Sequence, residues 1–446
     1  MTGTLSLQQA IENAGSPVDL VWRQGASPWT PPVVKPEYEG WAKEQTAWND
    51  GVAFSDLSHH MGDLFIEGPD ALRFLSDFGV NDFGNFAVGQ AKQYVPVTPQ
   101  GHLIADAVLM RDGEEAFTLT GNPGSQNWLN YQASKGGYDI ELSLDPDSGS
   151  RQGGADPVLF RYQIQGPNAL ALAEKVFGGP MPKVKFFHSA PVSLGGRSFR
   201  ALRHGMAGQP GYEFIGAWSD GAHVRDALMK AGAEFGIVAV GGRAYSTNGI
   251  ESGWLPGPIP GIYSAPELKP YREFLGAGSY EARKPLHGSY FTRDIEDYYY
   301  SPYDLGYGKV VSFNHDFCGR AALEKAGDGD HRTKVVLELD EADSRRHMGG
   351  DGEFLVDYGR YRIESGSKLV GLTSYTGRIA RVGKVLSLSL VDAAHAAPGT
   401  RVTLVWGNHP GGDVAPDAEP GFVRIGATVR PSPYNEYART QYRSNA

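Results

Sequence analysis

A strand, a Gly-Pro-Asx turn and an amphipathic helix occur in that order twice in this chain. The first copy spans residues 61–66, turns at Gly68-Pro69-Asp70 and continues with Ala71, Leu72, Leu75 and Phe78 at helical spacing. The second spans residues 160–164, turns at Gly166-Pro167-Asn168 and continues through residues 169–176. Solenoid repeats recur every ~20 to 50 residues, whereas these copies lie roughly a hundred apart. The pattern therefore predicts two duplicated α+β halves packed together. The Asp or Asn closing each turn is a natural helix N-cap.

Around this duplication the chain divides further. With 446 residues, a ratio of roughly 150 residues per domain suggests about three compact units. Residues 5–13 have helical spacing and break at Gly15-Ser16-Pro17. Residues 28–36 must be extended, because Pro31, Pro32 and Pro36 fix φ and remove donors. Beyond Asp328-Gly329-Asp330 come short strands at residues 335–339, 368–373, 385–390 and 402–406, which read as a small β-barrel or sandwich. The predicted division is a catalytic part over residues 1–330, made of two interleaved α+β lobes, and a barrel domain over residues 331–446. Residues 408–421, rich in Gly, Pro and Asp, read as a mobile loop.

Composition removes several function classes. Hydrophobic residues at 41% and charged residues at 21% suffice for a substantial core. The formal charge is −10, and no basic run is long enough to track a line of phosphates, so nucleic acid is not an expected partner. Cys318 is the single cysteine, which excludes an intrachain disulfide and a cysteine metal cluster. Residues 1–9 lack a secretory layout, and no apolar run approaches the ~18 to 20 residues that would span a bilayer. A reducing, cytoplasmic setting is expected, without membrane insertion.

Phosphate-loop, dinucleotide, zinc-protease and nucleophile-elbow signatures are absent. Gly205, Gly208 and Gly211 sit between strand-like runs and read as a turn. His59 and His60 are adjacent. If extended, they point to opposite faces, so they would not chelate one metal, and one would face the interior while the other faces a pocket. Histidine also suits proton movement near neutral pH. Asp106 is set between apolar residues, where desolvation would raise its pKa unless it is paired; a capped turn residue is the blander reading. Glu213 lies in an apolar strand and needs a hydrogen-bonding partner, which a ligand with donor groups would supply. Tyr245 and Trp254 read, on the residues alone, as core aromatics.

Four segments together resemble the folate-dependent aminomethyltransferase superfamily over nearly the whole chain. They are residues 101–106, Gly205-Met206-Ala207-Gly208-Gln209-Pro210-Gly211-Tyr212-Glu213, residues 243–253, and Asp316-Phe317-Cys318-Gly319-Arg320-Ala321-Ala322-Leu323. Ser58-His59-His60-Met61, Phe187 and residues 91–99, 203–208 and 295–299 are more similar to the tetrahydrofolate-dependent aryl O-demethylases within it. The resemblance implies an α+β, three-lobed cloverleaf around a folate channel, with a C-terminal β-barrel lobe. It implies that Glu213 binds the pterin N–H groups and that Gln93, Tyr94, Gln165 and Trp254 line the channel. His59, His60 and Tyr245 would face a methoxyaromatic acid such as syringate, vanillate or 3-O-methylgallate. His60 with Tyr245 would deliver a proton to the leaving oxygen, His59 would position, and Asp106 would act electrostatically near N5, with no metal. Trp29 and Asn122 would be substrate-binding, and Arg161, Arg203 and Arg243 are all open as carboxylate partners. The alternatives on the same scaffold are glycine-cleavage-type aminomethyl transfer, dimethylsulfoniopropionate demethylation, and a non-catalytic folate-binding tRNA-modification or assembly factor.

Overall fold

The computed structural model describes residues 5–23, 33–149, 153–327 and 329–443. Its strands are β1 (Val52–Asp56), β2 (Gly62–Glu67), β3 (Ala91–Tyr94), β4 (Ala107–Arg111), β5 (Ala116–Gly121), β6 (Glu141–Asp145), β7 (Leu159–Gln165), β8 (Ser189–Leu194), β9 (Arg197–Arg203), β10 (Gly211–Ala217), β11 (Ile237–Ala239), β12 (Thr333–Leu339), β13 (Val356–Asp357), β14 (Arg362–Ser365), β15 (Lys368–Ile379), β16 (Lys384–Val391), β17 (Arg401–Trp406) and β18 (Val423–Arg430). They make three sheets: β3-β4-β5-β2-β6, β11-β1-β7-β10-β9-β8, and β13-β15-β14-β17-β18-β12-β16. In the third, a further β15–β16 pairing closes six strands into a barrel. The class is the expected α+β one. The first two sheets are interleaved in sequence, since β1 belongs to the second sheet and β2 to the first.

The duplication is visible in the backbone. Gly68 and Gly166 have φ 130° and 132°, a region glycine reaches without steric cost. A Cβ on Gly68 would run into the carbonyl oxygen of Asp139, and one on Gly166 into that of Gly51. Asp70 and Asn168 follow with the same φ −95° and ψ 1°, opening the helices Ala71–Phe78 and Ala169–Phe177. Neither side chain caps its helix, contrary to expectation, because an N-cap acceptor requires extended backbone at that position. The Asp70 carboxylate instead accepts from Arg73 and the Asp139 amide.

Each sheet buries one face under helices. On β7 the alternate residues Phe160, Tyr162 and Ile164 pack with Leu172, Val224 and Leu228 of the helices Ala169–Phe177 and Trp218–Gly232. At ~1.5–3 kcal/mol per large apolar side chain, that face holds the lobe together. The intervening residues Arg161, Gln163 and Gln165 are also buried, so the other face is covered too. Its cover is the five-stranded sheet: Ile215 of β10 and Leu202 of β9 cluster with Ala91 of β3 and Met110 of β4. Side chains alternate along a strand. Glu213, two residues before Ile215, and Gln93, two after Ala91, therefore lie on the faces that meet.

Two local expectations change. Residues 5–13 do open with a helix, Leu7–Ala14, but Ser16 and Pro17 start a second one, Pro17–Val21, with the Ser16 hydroxyl accepting from the Asp19 amide. Residues 408–421 are anchored: His409 is fully buried, stacks on Phe291 at 4.4 Å, and its Nε2 contacts the Ala415 carbonyl at 2.9 Å. Among the described residues no helix is long and apolar enough to cross a membrane.

Candidate active site

Between the two interleaved sheets lies a set of polar groups taken out of water. Arg161 bridges two carboxylates. Its Nε donates to Glu213 Oε1 at 2.7 Å, its Nη2 reaches the same oxygen, and its Nη1 donates to Asp63 Oδ1 at 3.2 Å. All three residues are buried, at 6%, 2% and 1% exposure. Burial alone would lower the Arg161 pKa, but Glu213 and Asp63 outweigh it and hold the guanidinium charged. Burial raises Asp63, against the opposing pull of Arg161. Breaking such a buried set typically costs ~3–5 kcal/mol. No donor among the described residues reaches Glu213 Oε2, and Asp63 Oδ2 and Gln163 Nε2 are buried without a partner. Buried polar groups are normally satisfied, so these atoms mark a place for a polar ligand.

Across from them, Asp106 collects three donors on one oxygen: Gln93 Nε2 at 2.6 Å, Trp254 Nε1 at 3.0 Å and the Tyr307 hydroxyl at 3.2 Å, all to Oδ2. Oδ1 has no donor among the described residues. Burial raises the Asp106 pKa, opposed by Gln93, Trp254 and Tyr307.

His60 and Tyr245 form the third element. Residues 58–60 are a turn between β1 and β2 rather than an extended stretch, and the two histidines still diverge. The His60 Nε2 and Tyr245 hydroxyl share a short hydrogen bond, with the rings edge-on at 4.3 Å. The Tyr245 hydroxyl also contacts Met206 Sδ at 3.2 Å. Burial and then Arg161 pull the His60 pKa down to about 3, and burial lifts Tyr245 well above its ordinary value. Near neutral pH both are uncharged, so the two expected proton-delivery residues meet as a neutral pair. His59 is not brought to that pair. Its Nδ1 contacts the Asp147 carbonyl at 2.9 Å and its ring lies edge-on to Trp218.

Other predicted residues separate. Gln93 faces the site but Tyr94 does not. Tyr94 is fully buried in the core of its own lobe, its hydroxyl donating to the Leu75 carbonyl at 3.1 Å, because neighbours on β3 point to opposite faces. Gln165 is buried, and its Oε1 accepts from the Ala207 amide at 2.9 Å, holding the 204–210 turn in place. Asn122 precedes the helix Pro123–Ser134 and is part-exposed. Trp29 and Pro31 lie outside the described residues. Of the three arginines, Arg161 is occupied by two carboxylates and Arg243 pairs with Glu37 near the surface. Arg203 lines a cavity of about 140 Å³ with Leu170, Phe186, His204, Tyr212 and Tyr442. Sequence reasoning missed Asp63 and Tyr307. Asp63 ends an unremarkable Met61-Gly62-Asp63 entry to β2, and Tyr307 follows a tyrosine-rich stretch with no motif.

The fold defines a class, and the comparisons name it: the GCVT N-terminal domain family matches residues 24–256. The chain belongs to the GCVT family. It is 40% identical to a syringate O-demethylase from Sphingobium sp., over 98% of this chain and 97% of that protein. A sesamin methylene transferase from Sinomonas sp. is 29% identical over 83% of this chain and 85% of its own length. Among solved structures, the glycine cleavage system aminomethyltransferase T from Bartonella henselae matches at a TM-score of 0.64, with 18% identity, covering 98% of this chain and 99% of its own, which establishes the shared fold.

Proposed function

We propose that the protein is a tetrahydrofolate-dependent O-demethylase. It moves the methyl group of a methoxyaromatic acid of the syringate, vanillate or 3-O-methylgallate type to N5 of tetrahydrofolate. The observation that carries this reading is the 40% identity to a syringate O-demethylase along 98% of the chain. We keep the sequence-derived boundary at residue 330 between the catalytic part and the barrel. The −10 charge and single cysteine support a cytoplasmic enzyme without a nucleic-acid partner.

The unsatisfied atoms fit a reduced pterin. A pterin edge presents N–H donors beside a carbonyl acceptor, and Glu213 Oε2 can accept while Gln163 Nε2 can donate. Gln93 and Trp254, fixed through Asp106, form the opposing wall. When bound, tetrahydrofolate would supply N5 as methyl acceptor, and the proton N5 sheds balances the one the phenol gains.

The chain's own residues deal with the leaving group. An aryl methyl ether is inert because a phenoxide must depart. With His60 in its Nε2–H tautomer donating to the Tyr245 oxygen, the Tyr245 O–H exchanges its weak bond to Met206 Sδ for one to the ether oxygen, donating its proton as the carbon–oxygen bond breaks. Such a positioned acid contributes ~10²- to 10⁴-fold. Holding the reactants aligned in a dry site contributes several kcal/mol more, out of the roughly 7 to 11 that orientation can supply. Asp106, with the Lys334 charge as a weaker influence behind its three neutral donors, acts electrostatically on the developing charge near N5, and His59 braces the turn that carries His60.

The test is incubation of the purified protein with tetrahydrofolate and each methoxyaromatic acid, following the phenol and 5-methyltetrahydrofolate by chromatography. Stoichiometric appearance of both is expected, and transfer from none of the acids ends the proposal. Sesamin belongs in the panel as a second reading, because of the 29% match. Tyr245→Phe is expected to lower kcat ~10²- to 10⁴-fold while tetrahydrofolate affinity by calorimetry holds; unchanged kcat would remove Tyr245 from the mechanism.

A further inference from the structure

Among the described residues Lys284 is a cation without a counter-ion. Its Nζ has one hydrogen bond, to the Tyr280 hydroxyl at 3.1 Å, and no carboxylate among the described residues lies within 4 Å of it. Burial, and after it the charge of Arg360, pull its pKa down to about 7. Arg360 is itself 5% exposed. Its Nη1 donates to the Tyr358 and Ser374 carbonyls, its Nε is buried with no partner, and it too lacks a carboxylate among the described residues. Two neighbouring cations, Arg360 buried and Lys284 part-buried, with no carboxylate among the described residues to neutralise them, are costly unless an anion joins them.

The cluster has a defined place. Its side chains gather around Gly257, at φ 51°, where a Cβ would come within 2.6 Å of Lys284 Nζ, 3.0 Å of the Tyr280 hydroxyl and 3.6 Å of Asn122 Nδ2, so only glycine lets the three groups converge. Three donors of an anion site thus surround one glycine. Asn122 follows Gly121, the last residue of β5, which pairs with Gly62, the first of β2. His60, two residues before Gly62, therefore leaves the same end of that strand pair as Asn122. Tyr280 also feels the charge of Asp106.

Resting on the demethylase reading above, we infer that Lys284, with Tyr280, Asn122 and the field of Arg360, binds the carboxylate of the methoxyaromatic acid and so selects acids over neutral methoxyphenols. None of the three arginines open from the sequence takes that place. Arg161 is held by two carboxylates, Arg243 is paired near the surface, and Arg203 lines the cavity with His204 and Tyr442.

The experiment compares syringate with 2,6-dimethoxyphenol, its counterpart without the carboxylate, in the wild type, Lys284→Met and Lys284→Arg. Lys284→Met is expected to lower kcat/KM for syringate by about ten- to hundredfold, the usual worth of a hydrogen bond to a charged group, mainly through KM. It should leave 2,6-dimethoxyphenol unchanged, and Lys284→Arg should recover most of the loss. Removing an uncompensated cation does not threaten folding, and an unaltered thermal midpoint with intact tetrahydrofolate binding confirms it. Equal losses on both substrates, or none on syringate, overturn the inference and leave the demethylase reading standing. A wild type active only on vanillate or 3-O-methylgallate takes the same comparison against that acid's counterpart without the carboxylate, and one that demethylates none of the acids overturns both.

Discussion

The two copies of the strand–turn–helix unit share a backbone and part company in charge. Their turns agree to within a few degrees at Gly68 and Gly166 and at Asp70 and Asn168. Yet the sheet of the second copy holds its buried acid, Glu213, directly against a guanidinium, while the sheet of the first holds Asp106 by hydrogen bonds from neutral donors, with Lys334 acting on it only through its field. Duplication therefore conserved what sterics demand at the turn and left the inner faces free to diverge. One wall fixes a carboxylate by a full opposite charge. The other keeps an acid whose proton affinity burial has raised. A flat heterocycle between them would meet two chemically different edges.

The sharpest way to break this contrast is Arg161→Met, which leaves Glu213 and Asp63 buried and uncompensated. Denaturant unfolding should show a loss of ~3–5 kcal/mol, and a loss below ~1 kcal/mol would mean the triad is not the keystone of that wall. Next, Gly68→Ala and Gly166→Ala probe what the copies share. Both meet backbone oxygen at positive φ, so each should destabilise by ~1–3 kcal/mol. Clearly unequal values would show that the turns are not under the same constraint.

Acid titration separates the walls more finely. Besides His60, His204 beside Glu213 has its pKa lowered to about 4, by burial first. A histidine depressed on folding contributes stability above its unfolded value near 6.5 and loses it as pH falls toward the folded value. His204→Gln should therefore flatten the stability profile between pH 6.5 and 4 by up to ~1.4 kcal/mol per pH unit; an unchanged slope would count against a buried neutral His204. Asp106 has the opposite sign. Its folded pKa is raised, so its contribution is present below the ordinary carboxylate range and lost as pH rises through the folded value. Asp106→Asn, whose carbonyl can take the same three donors, should be slightly more stable than the wild type at neutral pH. That advantage should vanish below about pH 4; an advantage that persists there would place the effect elsewhere.

Much of the scaffold was legible in the residues. The spacing of Ala71, Leu72, Leu75 and Phe78, the two Gly-Pro-Asx turns and the alternating strands beyond residue 330 give the duplicated lobes and the barrel, because local sterics and burial periodicity act within a few residues. Asp106 and Glu213 stood out for the same reason, as acids in apolar runs. What surrounds them did not. Arg161 meets Glu213 across 52 residues and Asp63 across 98, Tyr245 meets His60 across 185, and Tyr307 reaches Asp106 across 201. Periodicity says which face a side chain takes but not what lies opposite, so Gln93 and Tyr94 could both be read into a channel that only Gln93 faces. Sheet register and the meeting of two sheets through Ala91, Met110, Leu202 and Ile215 decided those partners. Burial then made the histidine beside Arg161 neutral, and the tertiary packing left the ammonium of Lys284 without a counter-ion among the described residues.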